Sequence, residues 1–274
     1  MDGGATQTVS YGYDANDALD SLTYPSGHTV SYRPDAFGRP RAVLPHVVSV
    51  NYHPNGMPSD MQYANGVIST MSLNPRQWPG HLSFKRPNNG GGFINSTFSY
   101  DLVGNLTKIM DTTYSTLPRI YKYDFVDRLV YDADVADLRE YFYDGSGNMT
   151  FMGKYYAGNQ AYTYDTAGRL DSVVGSTLRN YAYDSAGNVS FDGYYSFGHD
   201  RANNMRCIQC NAATPMLHTY DGSNMRVKSV FGADSRQYMH NHQGLLLQTV
   251  NPGVEFTEHI YLGRRQVASR RVVN

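Results

Sequence analysis

A seven-residue phrase recurs along this chain, and its repetition constrains the fold more than any other feature of the sequence. The phrase reads tyrosine, aspartate, two variable residues, glycine, arginine or asparagine, and an apolar residue, as in Tyr164 to Leu170 and Tyr183 to Val189. When copies that keep only part of the phrase are included, the phrase starts at residues 13, 34, 52, 73, 100, 123, 143, 164, 183, 199, 220 and 240. The mean spacing of roughly 20 residues is typical of repeat architectures, in which each unit packs on its neighbours.

Each copy of the phrase predicts one β-hairpin. Before most Tyr-Asp pairs tyrosine alternates with a smaller residue, as in Ala161-Tyr162-Thr163-Tyr164. A second short stretch with apolar residues follows the phrase at 170–174. Period-two alternation indicates a half-buried strand. The Asp-x-x-Gly segment between the two stretches indicates a turn, because the aspartate can accept from backbone N–H groups and the glycine supplies a positive φ.

The predicted fold is therefore all-β, with about twelve β-hairpins forming a curved, spiralling antiparallel sheet. Residues 1–274 are expected to form a single repeat array, interrupted by a flexible glycine-rich insertion around 87–92. The residues assigned a structural role in the repeat are Tyr13, Asp14, Tyr100, Asp101, Gly104, Tyr123, Asp124, Tyr143, Asp144, Gly147, Tyr164, Asp165, Gly168, Tyr183, Asp184, Gly187, Tyr220 and Asp221.

Composition excludes several classes of function. Lysine and arginine (23) nearly balance aspartate and glutamate (24), and a protein that binds nucleic acid through phosphates needs a basic surface. No apolar run is long enough to predict a membrane-spanning helix. Residues 1–10 show neither the basic nor the apolar region of a signal peptide. The chain has 24 tyrosines against 11 phenylalanines, which indicates that tyrosine is a repeated structural part.

The Tyr-Asp-x-x-Gly-Arg/Asn-Leu phrase resembles the YD repeat of Rhs proteins, teneurins, wall-associated bacterial proteins and the C component of insecticidal toxin complexes. The resemblance covers about residues 11 to 268, and residues 259–268 are similar to the stretch that precedes the end of an Rhs core. In that family the hairpins form a sheet that spirals into a hollow shell around a toxin domain or its C-terminal segment.

The resemblance implies a structural, encapsulating segment of an Rhs-type toxin or cell-surface protein, bacterial and either secreted or associated with the cell surface. Its expected partners are an enclosed toxin polypeptide or flanking shell segments, with no cofactor. The sequence stops at Asn274, before the Asp-Pro-x-Gly motif that ends the family's core. The chain is therefore expected to be a piece of a longer shell or a stand-alone small array.

An enzymatic alternative rests on histidines, tyrosines and an arginine near the C-terminal end. His240 and His242 are two residues apart and are expected to share one face of a strand. A metal-free β-elimination site for a uronate polysaccharide needs a cation beside the carboxylate and a tyrosine or histidine to move a proton. The candidate catalytic residues are His218, His240, His242, Tyr220, Tyr238 and Arg264. A third possibility is a carbohydrate-binding or adhesion module.

Two further features have structural interpretations. The recurring aspartates are interpreted as turn caps rather than acid–base groups, and Arg39, Arg128 and Arg169 as ion-pair partners of neighbouring aspartates. Cys207 and Cys210 have the spacing of two of the ligands of a zinc site, but a structural zinc ion is usually bound by four ligands. A local disulfide or two inert thiols is therefore favoured over a metal site.

Overall fold

The computed structural model describes residues 7–87, 90–113, 117–134, 136–155 and 158–273, and the fold within these ranges is all-β. The chain divides into two compact units, one comprising residues 1–95 and 236–274 and the other residues 96–235. No helix in the described ranges is long and apolar enough to cross a membrane. The predicted all-β fold is confirmed, whereas the single array over residues 1–274 stays a prediction.

The strands are short and follow one another in antiparallel order within each unit. The first unit contains β1 (Ser10–Tyr13), β2 (Leu19–Thr23), β3 (Thr29–Ser31), β4 (Val47–Tyr52), β5 (Pro58–Tyr63), β6 (Ile68–Leu73), β7 (Pro79–Lys85), most of β23 (Asp234–His240), β24 (Leu246–Asn251), β25 (Glu255–Leu262) and β26 (Arg265–Val273). Strand β8 (Gly92–Tyr100) runs from the first unit into the second.

The second unit continues with β9 (Leu106–Asp111), β10 (Arg119–Tyr123), β11 (Leu129–Ala133), β12 (Leu138–Tyr143), β13 (Met149–Lys154), β14 (Gln160–Tyr164), β15 (Leu170–Val174), β16 (Leu178–Asn180), β17 (Ala182–Tyr183), β18 (Val189–Phe191), β19 (Phe197–His199), β20 (Met205–Ile208), β21 (Met216–Tyr220) and β22 (Arg226–Phe231). Of the expected glycine-rich insertion, residues 88–89 lie outside the described residues, and Gly92 already belongs to β8.

The turn of each hairpin follows from the phrase itself. In the copy at Tyr164, the amide of Asp165 donates to the carbonyl of Arg169 (2.8 Å) and the amide of Gly168 donates to the carbonyl of Asp165 (2.9 Å). Gly168 has φ +77°, and the strand register shifts by one residue at Tyr164. This combination of a four-residue turn and a β-bulge needs a left-handed residue at the glycine position.

Five copies lack that glycine, and in each the residue at its position still takes the left-handed conformation. The φ values are 57° at Asp17, 64° at Gln77, 63° at Asp127, 63° at Asn203 and 61° at Asn224. Aspartate and asparagine enter this region more readily than other side chains because their short polar groups can bond locally. These copies therefore keep the same turn although their glycine is replaced.

The core of the first unit joins residues that are far apart in sequence. Leu22, Tyr24 and Val30 from the first hairpins pack in one apolar cluster with Leu247 and Ile260 from the last strands. Val30 and Ile260 are fully buried. The first hairpins thus fold against β24 and β25, a contact that the repeat pattern does not predict.

Polar contacts fix the same packing. The hydroxyl of Tyr24 donates to the carbonyl of His259 (2.6 Å). The carboxylate of Glu258 is 0% exposed, accepts from the hydroxyl of Ser26 (2.5 Å) and pairs with the guanidinium of Arg270 (2.9 Å). A buried carboxylate needs such partners, because an unpaired charge in the core is costly.

A histidine pair beside this carboxylate predicts a pH dependence. The Nε2 atoms of His28 and His46 lie 3.1 Å apart, so one ring donates to the other and at least one must be neutral. Burial lowers the pKa of both imidazoles from 6.5, Arg270 lowers them further, and Glu258 acts in the opposite direction. Below about pH 6.5 the unfolded chain therefore binds more protons than the folded chain, and the free energy of unfolding should fall as the pH drops.

Urea unfolding at pH 7.5 and at lower pH measures this loss. The variant His46→Gln should lose less stability on acidification than the parent chain. His53→Gln is the matched control, because the ring of His53 bonds the carbonyl of Met71 instead of a second imidazole. An equal acid-induced loss in the parent chain and in His46→Gln would show that the pair does not titrate as argued.

Candidate functional site

Neighbouring repeats are joined by hydrogen bonds from tyrosine to main chain. In each case the hydroxyl of the Tyr-Asp tyrosine, or its equivalent, donates to the carbonyl of the apolar residue that ends the preceding phrase. The pairs are Tyr52 with Pro40 (2.6 Å), Tyr123 with Leu106 (2.9 Å), Tyr143 with Leu129 (2.7 Å), Tyr164 with Met149 (2.8 Å), Tyr183 with Leu170 (2.7 Å), Tyr220 with Met205 (3.0 Å) and Tyr261 with Leu246 (3.0 Å). We call this series the tyrosine ladder.

The aspartate of each phrase is a turn cap. In Asp165, Oδ1 accepts from the amides of Ala167 and Arg169 (both 2.9 Å), and Oδ2 pairs with the Arg169 guanidinium (2.7 Å). The same set of bonds lowers the pKa of Asp165, with the Arg169 amide as the largest cause. The carboxylate therefore stays ionised near neutral pH, which suits a cap and not a general acid.

The arginine at the sixth position of the phrase also contacts the next repeat. Arg128 and Arg169 pair with the aspartate of their own turn, four residues earlier, in line with their interpretation as ion-pair partners of neighbouring aspartates. The guanidinium carbons then lie 4.6 Å and 4.5 Å from the ring centres of Tyr143 and Tyr183. Such cation–π contacts accompany the ladder in the copies that carry arginine at the sixth position of the phrase. Arg39, which pairs with Asp35, does the same over Tyr52 at 4.7 Å.

Copies that carry asparagine in place of arginine reach the next turn where that turn has a polar side chain at its left-handed position. The side-chain amide of Asn105 donates to Asp101 of its own turn (3.1 Å) and to Asp127 of the following turn (2.7 Å). Asn188 donates to Asn203 in the same way (2.9 Å). Both acceptors hold the left-handed position of their turns, so the asparagine links one turn to the next.

Removal of one ladder hydroxyl tests its contribution to stability. Tyr183→Phe keeps the ring under Arg169 but leaves the Leu170 carbonyl without this donor. The free energy of unfolding should fall by about 1 kcal/mol, the usual net value of one hydrogen bond. Tyr195→Phe is the control, since Tyr195 is 40% exposed and its hydroxyl has no hydrogen bond within the described residues. Equal unfolding midpoints for the two variants would contradict the ladder's role.

The candidate catalytic residues of the lyase alternative are divided between the two units. His218 and Tyr220 belong to the second unit. His218 is 8% exposed, its Nδ1 lies 3.0 Å from the Ser229 hydroxyl, and burial lowers its pKa. Tyr220 already donates to Met205 as a member of the ladder. Both side chains therefore have structural contacts.

The remaining candidates lie in the first unit, where two of them share a cavity. His242 and Arg264 line a cavity of about 370 Å³, whereas His240 and Tyr238 do not. The sequence placed His240 and His242 on one strand face, but β23 ends at His240 and His242 lies in the following turn. The period-two rule therefore does not extend to His242.

The cavity wall is rich in tyrosine, which the catalytic assignment from sequence missed. Tyr11, Tyr13, Tyr24, Tyr32 and Tyr261 all line it. The signal was the alternation of Tyr11 and Tyr13, which places both on one face of β1. Burial is the largest cause that raises the pKa of Tyr11 and Tyr261, and it raises the pKa of Tyr32 to about 12. These hydroxyls are neutral near pH 7 and act as donors rather than bases.

Cys207 and Cys210 form a disulfide, with Cα atoms 5.4 Å apart. In this state neither sulfur is a thiolate ligand for zinc. Gly198 pairs with Cys207 across β19 and β20, and a Cβ at this glycine would lie 2.6 Å from the Cys207 sulfur. Glycine therefore provides the space for the disulfide. Among the described residues no group of three or more histidine, cysteine or acidic side chains could hold a metal ion.

The strands, turns and ladder together define the class of the fold as a YD-repeat array of β-hairpins. No protein-family model matches the sequence, and no curated protein matches it. Solved structures do match over most of the chain. The Tc holotoxin pore of Photorhabdus luminescens, with a TccC3 mutation, is 16% identical with a TM-score of 0.66, and the match covers 97% of this chain and 16% of that chain.

Two related crystal structures agree with this match. TcdB2-TccC3-TEV gives 16% identity and a TM-score of 0.65, and TcdB2-TccC3-Cdc42 gives 18% identity and a TM-score of 0.64; each match covers 97% of this chain and 16% of the other. The chain thus spans about a sixth of the length of these relatives. The predicted resemblance to YD-repeat shell proteins is confirmed for the fold.

Proposed function

We propose that this chain is a wall segment of a YD-repeat shell that encloses or presents a polypeptide. The tyrosine ladder carries the proposal, because within the described residues it joins neighbouring hairpins at seven places through a bond that further copies can continue. The fold match to Tc toxin structures over 97% of the chain supports it. A further crystal structure of similar fold is that of TcdB2-TccC3 without its hypervariable C-terminal region.

The partners and location follow from the same proposal. The enclosed partner is a toxin polypeptide or its C-terminal segment, and flanking shell segments continue the sheet. A wall that holds an unfolded chain needs many weak contacts rather than one catalytic centre. The half-buried tyrosines supply such contacts, because each combines apolar ring area with a polar hydroxyl. The proposed setting is a bacterial protein that is secreted or associated with the cell surface.

Protection of an unfolded polypeptide from protease tests this function. Reduced and carboxymethylated α-lactalbumin serves as the unfolded probe, and the native, disulfide-intact protein serves as the folded control. A wall segment should slow digestion of the unfolded probe and leave the folded control unchanged. A folded, β-rich sample that leaves the digestion rate of the unfolded probe unaltered, even in excess, overturns the proposal.

A uronate polysaccharide lyase remains the second candidate, favoured by the convergence of His242, Arg264 and Tyr11 on one cavity. In this candidate Arg264 neutralises the uronate carboxylate and His242 takes the proton from C5 of the sugar. The bond between C4 and the glycosidic oxygen then breaks, and the hydroxyl of Tyr11 donates a proton to the leaving oxygen. A panel of alginate, hyaluronan, chondroitin and pectate tests it, since β-elimination yields an unsaturated product that absorbs ultraviolet light. Product formation that disappears in His242→Ala supports the lyase; flat absorbance with every substrate removes it.

A further inference from the structure

The first unit contains a cavity that neither the tyrosine ladder nor the turns explain. It lies where β1 and β2 meet the turns that follow β23 and β25, and its volume is about 370 Å³. This volume falls at the lower end of the range for small-molecule sites, and so suits one ring with a short substituent. We call it the tyrosine cavity.

The floor of the tyrosine cavity is apolar and fixed. Leu22, Tyr24, Tyr32 and Leu247 line it and are 3%, 2%, 6% and 2% exposed. All four side chains belong to the apolar core cluster that packs the first hairpins on the last strands. A flat ring placed on this floor would bury apolar area on a surface that does not have to be ordered first.

The wall offers a donor that the protein does not use. The hydroxyl of Tyr24 is committed to His259, and that of Tyr261 is committed to Leu246. The hydroxyl of Tyr32 has no hydrogen-bond partner among the described residues, although its side chain is nearly buried. The hydroxyl oxygen itself is not among the fully buried atoms without a partner, and Tyr32 lines the cavity, so this hydroxyl can donate to a ligand oxygen placed there.

The rim is cationic and carries no counter-charge. Arg264 is exposed in the turn between β25 and β26, and no carboxylate of the described residues pairs with it. The lining of the tyrosine cavity includes no aspartate or glutamate. A second cavity of the first unit differs in this respect, because Asp14 and Asp20 line it together with Arg33 and Arg41. Of these two cavities, the tyrosine cavity is therefore the one whose lining carries a net positive charge and favours an anion.

From the apolar floor, the unused donor and the unpaired arginine, we infer that the tyrosine cavity binds a compact ring-bearing carboxylate. The ring lies on Leu22 and Leu247, the hydroxyl of Tyr32 donates to a ligand oxygen, and the carboxylate pairs with Arg264. The same chemistry occurs in an aromatic acid, such as the end of a peptide chain, and in a uronic sugar. The inference does not depend on the encapsulating function. It shares the cavity and Arg264 with the lyase candidate, and binding of an acid without product formation separates the two.

Titration calorimetry with three probes tests the site and separates the two sources. The probes are N-acetyl-L-phenylalanine, its neutral amide, and D-glucuronate. Binding of the aromatic acid in preference to its amide identifies an aromatic carboxylate, and binding of glucuronate alone identifies the sugar. Absence of binding by both acids, in a sample whose circular dichroism shows a folded β-protein, overturns the inference.

Matched arginine variants locate the binding. Arg264→Gln should weaken binding of the acid about tenfold, as expected for loss of one charge-assisted bond, and leave the affinity of the amide unchanged. Arg265→Gln is the control, because Arg265 is the next residue along the chain but does not line the tyrosine cavity. Tyr32→Phe should also weaken binding of the acid, although the phenylalanine ring keeps the apolar floor of the cavity in place. Equal acid affinity in Arg264→Gln and Arg265→Gln would place the ligand elsewhere and overturn the assignment.

Discussion

Arg270→Met should destabilise the first unit by about 2 kcal/mol at neutral pH. The carboxylate of Glu258 is 0% exposed, and Arg270 is its only cationic partner within the described residues. The variant leaves a buried charge whose one remaining hydrogen-bond donor, among the described residues, is the hydroxyl of Ser26. Loss of one partner of a buried pair usually costs about 3–5 kcal/mol, and the estimate here is lower because water reaches the partly exposed Arg270 side chain.

The same strand supplies the control for this experiment. Arg271→Met removes the arginine that pairs with Glu255, and the side chain of Arg271 is 67% exposed. Exposed pairs contribute about 0–1 kcal/mol, so this variant should unfold almost like the parent chain. Glu258→Gln added to Arg270→Met should restore part of the lost stability, because it removes the unpaired charge. Equal unfolding midpoints for the two arginine variants would show that Glu258 does not depend on Arg270.

Ile260→Ala is expected to lower the free energy of unfolding by about 3 kcal/mol. Ile260 is 0% exposed and lies in the cluster that joins β25 to the first hairpins. Truncation removes buried methyl groups and leaves a cavity that the surrounding strands fill only in part. The same loss should loosen the packing of β2, although Leu22 and Ile260 are distant in sequence.

Hydrogen exchange followed by peptide mass spectrometry measures both effects. In Ile260→Ala, the amides of β2 and β25 should exchange faster, while those of β14 and β15 in the second unit should keep their protection. Val273→Ala is the control, because Val273 ends β26 and is 68% exposed. Unchanged exchange in β2 would contradict the packing of the first hairpins on the last strands.

The hairpins could be predicted from sequence because the information for each one is local. The turn at Asp165 is specified by the aspartate that caps it, the glycine with positive φ and the arginine four residues on. Strand β15 occupies residues 170–174, where the sequence predicts the second strand of this hairpin. Every contact within the phrase lies inside a few residues, so tertiary context had little to override.

The packing of the first unit could not be predicted in this way. Tyr24, Ser26 and Glu258 lie outside the repeated phrase, and the bonds of Tyr24 and Ser26 reach more than two hundred residues along the chain. A periodic pattern gives the neighbours of each hairpin, but contains no information on which distant hairpins meet. For the same reason the sequence singled out His242 and Arg264 but not Tyr32, which joins them only through the fold.

The tyrosine ladder has a consequence for how such a chain can change over time. Its acceptor is always a main-chain carbonyl, which every amino acid possesses. A substitution at Leu170 or Met149 therefore leaves the acceptor in place, and only the tyrosine has to be retained. One partner of each contact is thus a main-chain atom, and only the other partner depends on a side chain. An array held together by such bonds can accumulate substitutions at the residues that supply the carbonyls, while the bonds between its repeats still form.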